Sequence, residues 1–231
     1  MTRKLPAVTA LLAVVALGSS GQAAGRDQSK VQFTHPRDID NRYAPLTEND
    51  RCVLRGQEDG VRMRIVRTLL DRTKTFRING DAVRATVIED RDFEEGELVE
   101  RTLDYFAQDD RGTVWYLGED VDNYENGKVV GHGGAWLYGN DTDKMGVAMP
   151  AHPRVGTRWR GERVPGITRE ADKVVAILDK ATVRGKTYHD VVKVREHARP
   201  DDEIEFKLYA PGVGNIQERP PDGRNRLVRC S

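Results

Sequence analysis

Short segments in which apolar and polar residues alternate recur along most of this chain, and this pattern constrains the fold more than any other feature. Clear examples are VRMRI (61–65), Asp81–Ile88 and Ile204–Tyr209. A period of two places alternate side chains on opposite faces of a β-strand. Polar turn residues separate the segments, and stripes of helical period are few. The sequence therefore predicts a mainly β protein with little helix, an antiparallel meander that forms a barrel, a half-barrel or a sandwich.

One apolar segment, DKVVAILDKATV (172–183), fits two structures. Val174, Ile177, Leu178 and Ala181 would share one face of a helix. The enrichment in valine and isoleucine, and the Arg-Gly-Lys turn that follows, favour a buried strand instead. We predict a strand here, with the helix as the alternative.

Two glycine-containing stretches predict changes of chain direction. Asn126-Gly127 lies between polar and apolar residues and suits a type I′ hairpin turn, in which both central residues take positive φ. In APGVG (210–214), Pro211 fixes φ and the two glycines permit positive φ. A phosphate cradle would need a helix directly after the loop, and none is predicted there. We expect a sharp corner between two strands.

The N-terminus has the three-part pattern of a secretory signal peptide. Two basic residues precede an apolar run, Leu5–Leu17, that is too short to span a bilayer, and small residues follow. Export to the periplasm or the extracellular space is predicted. No later segment approaches ~18 apolar residues, so no transmembrane segment is expected in the mature chain. The predicted organisation is a signal peptide over 1–23, a flexible N-terminal segment over 24–32 and a single β-rich domain over 33–231.

The charge balance argues against nucleic acid as a partner. The chain has 37 basic and 37 acidic side chains, and removal of Arg3 and Lys4 with the signal peptide leaves a net charge of −2. No basic block is present. Neither nucleic acid nor an anionic membrane surface is therefore predicted as the main partner.

Cys52 and Cys230 are the two cysteines of the chain. Two cysteines in an exported protein most often pair, whereas a metal site would need additional ligands at closer spacing. We predict a disulfide that joins the C-terminal strand to the start of the folded region. Two free thiols are the alternative.

Five stretches of the chain carry a family resemblance: DIDNRYAPL (38–46), VWYLGEDVDNYENGKVV (114–130), GAW (134–136), MPAHPRVGTRW (149–159) and KLYAPGVGNIQE (207–218). Through them the chain resembles an uncharacterised family of exported bacterial β-rich proteins. The resemblance covers nearly the whole mature chain and implies strands and export. It implies no activity and no catalytic residue. Ala44 departs from the family, where an aromatic residue is usual, and so do the two cysteines.

Acidic and amide side chains crowd the predicted Asn126-Gly127 hairpin. Oxygen ligands on a turn could hold Ca²⁺, and Asp120, Asp122 and His132 are the candidate ligands. The spacing does not match an EF-hand loop. A solvated hairpin tip is the simpler interpretation, and no other cofactor is predicted.

Aromatic residues are the remaining candidates for a binding site: Trp115, Tyr116, Trp136, Tyr138 and Trp159. Trp115 and Trp136 lie on strands that we expect to pair. These side chains either stack in the core or line an apolar cleft. An open half-barrel encloses a cleft suited to acyl chains, so a lipid or another hydrophobic small molecule is the predicted ligand.

No catalytic set can be named. The chain has no nucleophile elbow and no phosphate loop, and His189 and Asp190 are adjacent, so they point to opposite faces of a strand. The prediction is an exported, non-catalytic binding or envelope-associated module. Two alternatives stay open: a metal-dependent hydrolase that uses Asp120, Asp122 or His132, and a purely structural surface protein. The sequence does not predict an oligomeric state.

Overall fold

A computed structural model describes residues 27–199 and 202–231. This part of the chain forms one antiparallel sheet of 15 strands, and its helical element is a single 3₁₀ turn, Gln28–Lys30. The mainly β fold with little helix predicted from the alternation is therefore confirmed. The predicted signal peptide, 1–23, lies outside the described residues.

The strands are β1 (Arg51–Glu58), β2 (Val61–Ile78), β3 (Asp81–Glu94), β4 (Glu97–Gln108), β5 (Val114–Glu125), β6 (Lys128–Gly131), β7 (Trp136–Leu137), β8 (Gly146–Met149), β9 (Arg158–Trp159), β10 (Arg163–Val164), β11 (Thr168–Val183), β12 (Lys186–Arg199), β13 (Ile204–Ala210), β14 (Gly214–Arg219) and β15 (Gly223–Cys230).

The sheet is a meander whose spatial order is β10-β11-β12-β13-β14-β15-β1-β2-β3-β4-β5-β6. Three short strands lie off this path, because β7 and β8 pair with β5 and β9 pairs with β11. Strand pairing does not close the sheet. The Val147 N–H of β8 nevertheless donates to the Arg160 carbonyl just after β9, over 2.9 Å. The sheet is therefore curved, and its two halves meet where β8 contacts the residues after β9. We call this contact the seam, and the face of the sheet that it encloses becomes an interior.

Five hairpins turn through an X-Gly pair in which both residues have positive φ. Asn126 and Gly127 have φ of 50° and 72°, which confirms the type I′ geometry predicted there. Arg184, before Gly185 in the turn between β11 and β12, adopts φ of 48°, a conformation uncommon for residues other than glycine, asparagine and aspartate. This turn joins the two strands that carry the site described below.

Two further predictions are confirmed by the strands themselves. The ambiguous segment 172–183 belongs to a strand, β11, and pairs with β12 along its length. APGVG is the corner between β13 and β14, with Gly212 at φ 68° and Gly214 at φ 88°. The Gly212 N–H donates to the Arg42 carbonyl over 2.8 Å, which attaches the corner to the loop before β1.

The disulfide predicted between Cys52 and Cys230 is present. The two residues are direct partners in the ladder of β1 and β15. The bond therefore fastens the first long strand of the sheet to the last.

Three apolar clusters form the core. The first centres on Phe76, Val87, Tyr105, Trp115 and Leu117, the second on Ile39, Met149, Trp159, Val174 and Val192, and the third on Leu54, Ile65, Val191, Ile216 and Leu227. The second cluster includes Val174 of β11 and Val194 of β12, which face each other across the ladder. The next pair on this face, two residues away, consists of two acidic side chains, Asp172 and Glu196.

The segment 24–32, predicted to be flexible, overlaps the described residues from Asp27 onward. There the Gln28 side chain donates to the Met145 carbonyl (2.9 Å) and accepts from the Met145 N–H (3.0 Å). Its flexibility stays a prediction.

Within the described ranges, no helix has the length and apolar character needed to cross a membrane.

Candidate metal centre

The aromatic residues singled out in the sequence lie at separate places in the core. Trp115 is buried in the first cluster and Trp159 in the second, while Tyr138 packs half-buried against the first. Tyr116 and Trp136 contact each other edge to face, with ring centroids 5.3 Å apart. Trp115 and Tyr116 follow one another on β5 and so point to opposite faces. The five side chains therefore do not share one wall, and ligand binding by them stays a prediction.

Two of the three candidate metal ligands near the β5–β6 hairpin are engaged with cationic side chains, and the third, His132, contacts Asp122. Asp120 lies 3.1 Å from Lys74 Nζ. Asp122 lies 3.4 Å from Arg101 Nη1 and 3.1 Å from His132 Nδ1. These pairs offset the charge that would attract a metal ion, and a site here stays a prediction.

A different group of carboxylates meets the geometric requirement for a metal site. Oxygens of Glu170, Asp172 and Glu196 all lie within 4.8 Å of one another, the one such group among the described His, Cys, Asp and Glu side chains. We call these three residues the carboxylate triad. Asp172 of β11 and Glu196 of β12 are direct cross-strand partners, and Glu170 precedes Asp172 by two residues on the same face.

Asp172 is the most deeply buried member of the triad. Its exposed fraction is 6%, and its Oδ2 atom accepts no hydrogen bond from a described N–H or hydroxyl group, while a hydrogen bond with the Glu170 carboxyl group lowers the pKa of Asp172. Burying a carboxylate oxygen without a partner is costly, so such an atom calls for a proton or a cation. The Oδ2 atom lies against Gly161, where the Cβ of any larger residue would stand 3.0 Å from it and would collide with Glu170 Oε1. Because Gly161 has no Cβ, the carboxyl groups of the triad can pack directly against its backbone.

One basic side chain reaches the triad. Lys207 Nζ lies 2.8 Å from Glu196 Oε2 and 3.5 Å from Glu205 Oε2. No other described Lys, Arg or His lies within ion-pair distance of a triad carboxylate. Glu162, beside Gly161, adds a further carboxyl group, which accepts from the Thr168 hydroxyl over 2.7 Å. Five carboxyl groups and one ammonium group therefore lie in and around the triad, and the ammonium group pairs with two of the five.

The electrostatics of the triad favour its neutralisation. Burial raises the pKa of Glu170 and of Asp172 well above the usual range, and the neighbouring carboxylates, Glu196 among them, raise both further. Burial likewise raises the pKa of Glu205 to about 7. Like charges this close cannot all persist in a partly buried site. Protons can remove the excess charge, and so can a divalent cation.

The chemistry of the donors indicates which cation would fit. All donors are carboxylate oxygens, which suit the hard cations Ca²⁺ and Mg²⁺. Ligands of one Ca²⁺ ion, each about 2.4 Å from it, are at most about 4.8 Å apart, and the triad oxygens lie within that limit of one another. The triad can therefore supply three ligands to one ion, with water completing the coordination.

An apolar cavity of about 70 Å³ lies under the corner between β13 and β14. Its apolar lining includes Leu46, Leu54, Leu69 and Ile88. An apolar cavity of about 150 Å³ can hold benzene, so a cavity of about 70 Å³ is well below the volume of an acyl chain.

Three other carboxyl groups have strongly shifted pKa values, and burial is the main cause that raises the pKa of Glu119 on β5 to about 9. Burial, together with the nearby carboxylates of Asp90 and Glu218, raises the pKa of Asp92 on β3 to about 8. Burial is also the main cause that raises the pKa of Asp104 on β4 to about 7. Each group binds its proton more tightly in the folded than in the unfolded chain, so each stabilises the fold at low pH and loses this contribution as the pH rises through its folded pKa.

The free energy of unfolding of the wild type should therefore fall as the pH rises from about 5 to about 8.5. In Asp92→Asn this fall should be smaller by about 1 kcal/mol or more, because a difference of one pKa unit between folded and unfolded states corresponds to about 1.4 kcal/mol. Urea unfolding at the two pH values measures the difference. The exposed Asp71→Asn serves as control and should keep the wild-type slope. Equal slopes in all three proteins would show that Asp92 is ionised throughout.

The triad was not among the sites predicted from the sequence. Glu170 and Asp172 alternate along one strand, which is visible in the sequence, but Glu196 lies on the next strand and forms no spacing motif with them. Comparison of the chain with protein-family models, with curated proteins and with solved structures gave no match. The function is therefore argued from the triad and its surroundings.

Proposed function

We propose that the protein is an exported, non-catalytic binding protein that holds a divalent cation, with Ca²⁺ as the best match, at the carboxylate triad. The observation that carries the proposal is the Oδ2 atom of Asp172, which is buried beside two further carboxylates and accepts no hydrogen bond from a described N–H or hydroxyl group. A bound cation would give this atom a partner and offset the excess negative charge at the seam.

Ca²⁺ is preferred to Mg²⁺ because of how the ligands are held. Mg²⁺ requires near-ideal octahedral geometry at 2.0–2.1 Å and retains most of its water, whereas Ca²⁺ accepts irregular sets of oxygens at 2.3–2.6 Å. The triad is an irregular set, with two ligands on β11 and one on β12. Lys207 adds one positive charge beside Glu196, which weakens binding. We therefore expect the modest affinity of extracellular Ca²⁺ modules, with a Kd of about 10⁻⁴ to 10⁻³ M.

Export is part of the proposal. It is supported by the signal-like N-terminus and, weakly, by the Cys52–Cys230 disulfide, because such bonds persist in oxidising compartments. A hydrophobic ligand, the other binding function expected from the sequence, has less support, because the apolar cavity of about 70 Å³ is too small for an acyl chain.

Calorimetric titration of the metal-stripped protein tests the proposal. One equivalent of Ca²⁺ should bind, and Glu196→Gln should weaken binding by about tenfold or more, because a charged ligand is replaced by a neutral one. Asp179→Asn, an exposed carboxylate on the same strand β11, should bind as the wild type does.

The competing site near the β5–β6 hairpin provides the decisive comparison. Asp122→Asn should leave Ca²⁺ affinity unchanged if the triad holds the ion. Loss of binding in Asp122→Asn together with normal binding in Glu196→Gln would move the site to the hairpin. Absence of any binding at millimolar Ca²⁺ would reject the proposal altogether.

A further inference from the structure

An open cleft of about 600 Å³ lies on the surface where three loops meet. The loops are 40–43 before β1, 111–112 between β4 and β5, and 151–154 between β8 and β9, and Ile177 of β11 completes the lining. Two of these loops belong to the stretches DIDNRYAPL and MPAHPRVGTRW. The volume falls within the range of small-molecule sites.

Asn41 holds the loops in place. Its side-chain Nδ2 donates to the Gly112 carbonyl (2.7 Å) and to the Pro150 carbonyl (3.1 Å). Its Oδ1 accepts from the N–H groups of Tyr43 (2.9 Å) and Ala44 (3.2 Å). One buried amide thus uses all four of its hydrogen-bonding capacities to fix three segments. The cleft is a built feature of the fold, and its side chains project from a fixed backbone.

Three of the four charged side chains that line the cleft are arginines. Arg42, Arg111 and Arg154 line it together with His152, and Asp40 is the single acidic residue of the lining. The Asp40 carboxylate accepts from the Gln108 amide over 2.6 Å. In a chain with equal numbers of acidic and basic residues, this local excess of arginine is a positive site.

The arginines are available to a ligand. Among the described residues, Arg111 and Arg154 make no ion pair. Arg42 lies 3.1 Å from Asp190, but the two side chains are 60% and 63% exposed, and exposed pairs of this kind are weak in water. An anion that contacts all three guanidinium groups can therefore displace the Asp190 contact.

The base of the cleft is apolar. Pro153 is buried, Ile177 is 41% exposed, and the Arg42 guanidinium lies over the Tyr43 ring at 5.5 Å from its centroid. Apolar lining beside the Arg42 guanidinium reduces contact with water on one side of a bound anion and strengthens charge-assisted hydrogen bonds to it.

We propose that this cleft binds a small molecule that carries two or more phosphate or carboxylate groups. Arginine presents a planar fork that matches the oxygens of either group in pairs, and three arginines on fixed loops can engage more than one anionic group at once. The site is separate in chemistry from the carboxylate triad, which attracts cations.

Titration of ¹⁵N-labelled protein with pyrophosphate and, separately, with citrate tests the inference in metal-free buffer, because both anions chelate Ca²⁺. We expect saturable shifts of the amide signals of Gly112, Ala151 and Ile177, with affinity that falls as salt is added. The anion that binds more tightly identifies phosphate or carboxylate as the preferred group.

The double variant Arg111→Gln/Arg154→Gln should weaken binding at least about tenfold, since each lost charge-assisted hydrogen bond corresponds to roughly that factor. The matched control Arg219→Gln/Arg224→Gln removes two exposed arginines far along the chain and should bind normally. Equal weakening in both double variants would reveal a nonspecific charge effect and overturn the proposal. So would the absence of saturable shifts with both anions.

Discussion

Replacing both cysteines by alanine should lower the free energy of unfolding by about 5 kcal/mol. The disulfide spans a sequence separation of 178 residues, and in the chain-entropy model the cost of closing a loop grows with the logarithm of its length. Without the bond, the ladder of β1 and β15 must be formed by two ends of the chain that are otherwise far apart.

Urea unfolding of Cys52→Ala/Cys230→Ala measures this effect. A loss of about 5 kcal/mol corresponds to a midpoint lowered by about 2 M, given a slope of about 2–3 kcal/mol per molar urea. Reduction of the wild-type protein by dithiothreitol should lower the midpoint by a similar amount, which separates loss of the bond from loss of the sulfur atoms. A change below about 1 kcal/mol would mean that the strand pairing of β1 and β15 persists in the unfolded chain.

Asp172→Asn should have opposite effects on stability with and without Ca²⁺. In metal-free buffer above about pH 7 the variant should be more stable than the wild type, because an amide replaces one of several crowded carboxyl groups whose ionisation the fold opposes. At a Ca²⁺ concentration about 100 times the Kd, the wild type should gain about 2.7 kcal/mol, and the variant should gain little. The order of the two stabilities should then reverse.

Thermal unfolding with and without Ca²⁺ measures the reversal. Asp179→Asn, which removes an exposed carboxylate from the same strand, should follow the wild type under both conditions. If Asp172→Asn is less stable than the wild type in metal-free buffer and gains the same increment from Ca²⁺, Asp172 is a structural residue and not a ligand.

The architecture follows from local signals in the sequence. Period-two alternation defines the strands, Asn126-Gly127 defines a hairpin, and Pro211 with its neighbouring glycines defines a corner. The disulfide follows from the presence of two cysteines in a chain predicted to be exported. The strands, the hairpin and the corner depend on residues close in sequence. The disulfide depends on two cysteines that have only each other as a partner within the chain.

The carboxylate triad depends on a β-bulge in β11, which the alternation of apolar and polar residues does not predict. Counted from the turn at Arg184-Gly185, regular pairing would place Asp172 opposite His197. A bulge between Val174 and Ala176 shifts the register by one residue and brings Asp172 opposite Glu196 instead. A shift of one residue moves a side chain to the other face of a strand, so the bulge decides whether the triad exists.

A similar irregularity explains the arrangement of the aromatic residues. Simple alternation along β5 would place Trp115 on the same face as Glu119, whose cross-strand partner is Trp136. Gly118 adopts φ of 122° and interrupts the alternation. Tyr116, not Trp115, therefore packs against Trp136. The sequence predicts that these strands pair, and the local conformation of one glycine determines which side chains meet.

Crystallography of the protein grown in millimolar Ca²⁺ is the most direct test of the proposed cation site. The result we predict is an anomalous difference peak among the carboxylates of Glu170, Asp172 and Glu196, with at least three oxygens at about 2.3–2.6 Å. The peak should disappear in crystals of Glu196→Gln. A triad without a peak, in which the carboxyl groups instead donate protons to one another, would contradict the proposed function and identify the cluster as a set of buried acids neutralised by protons.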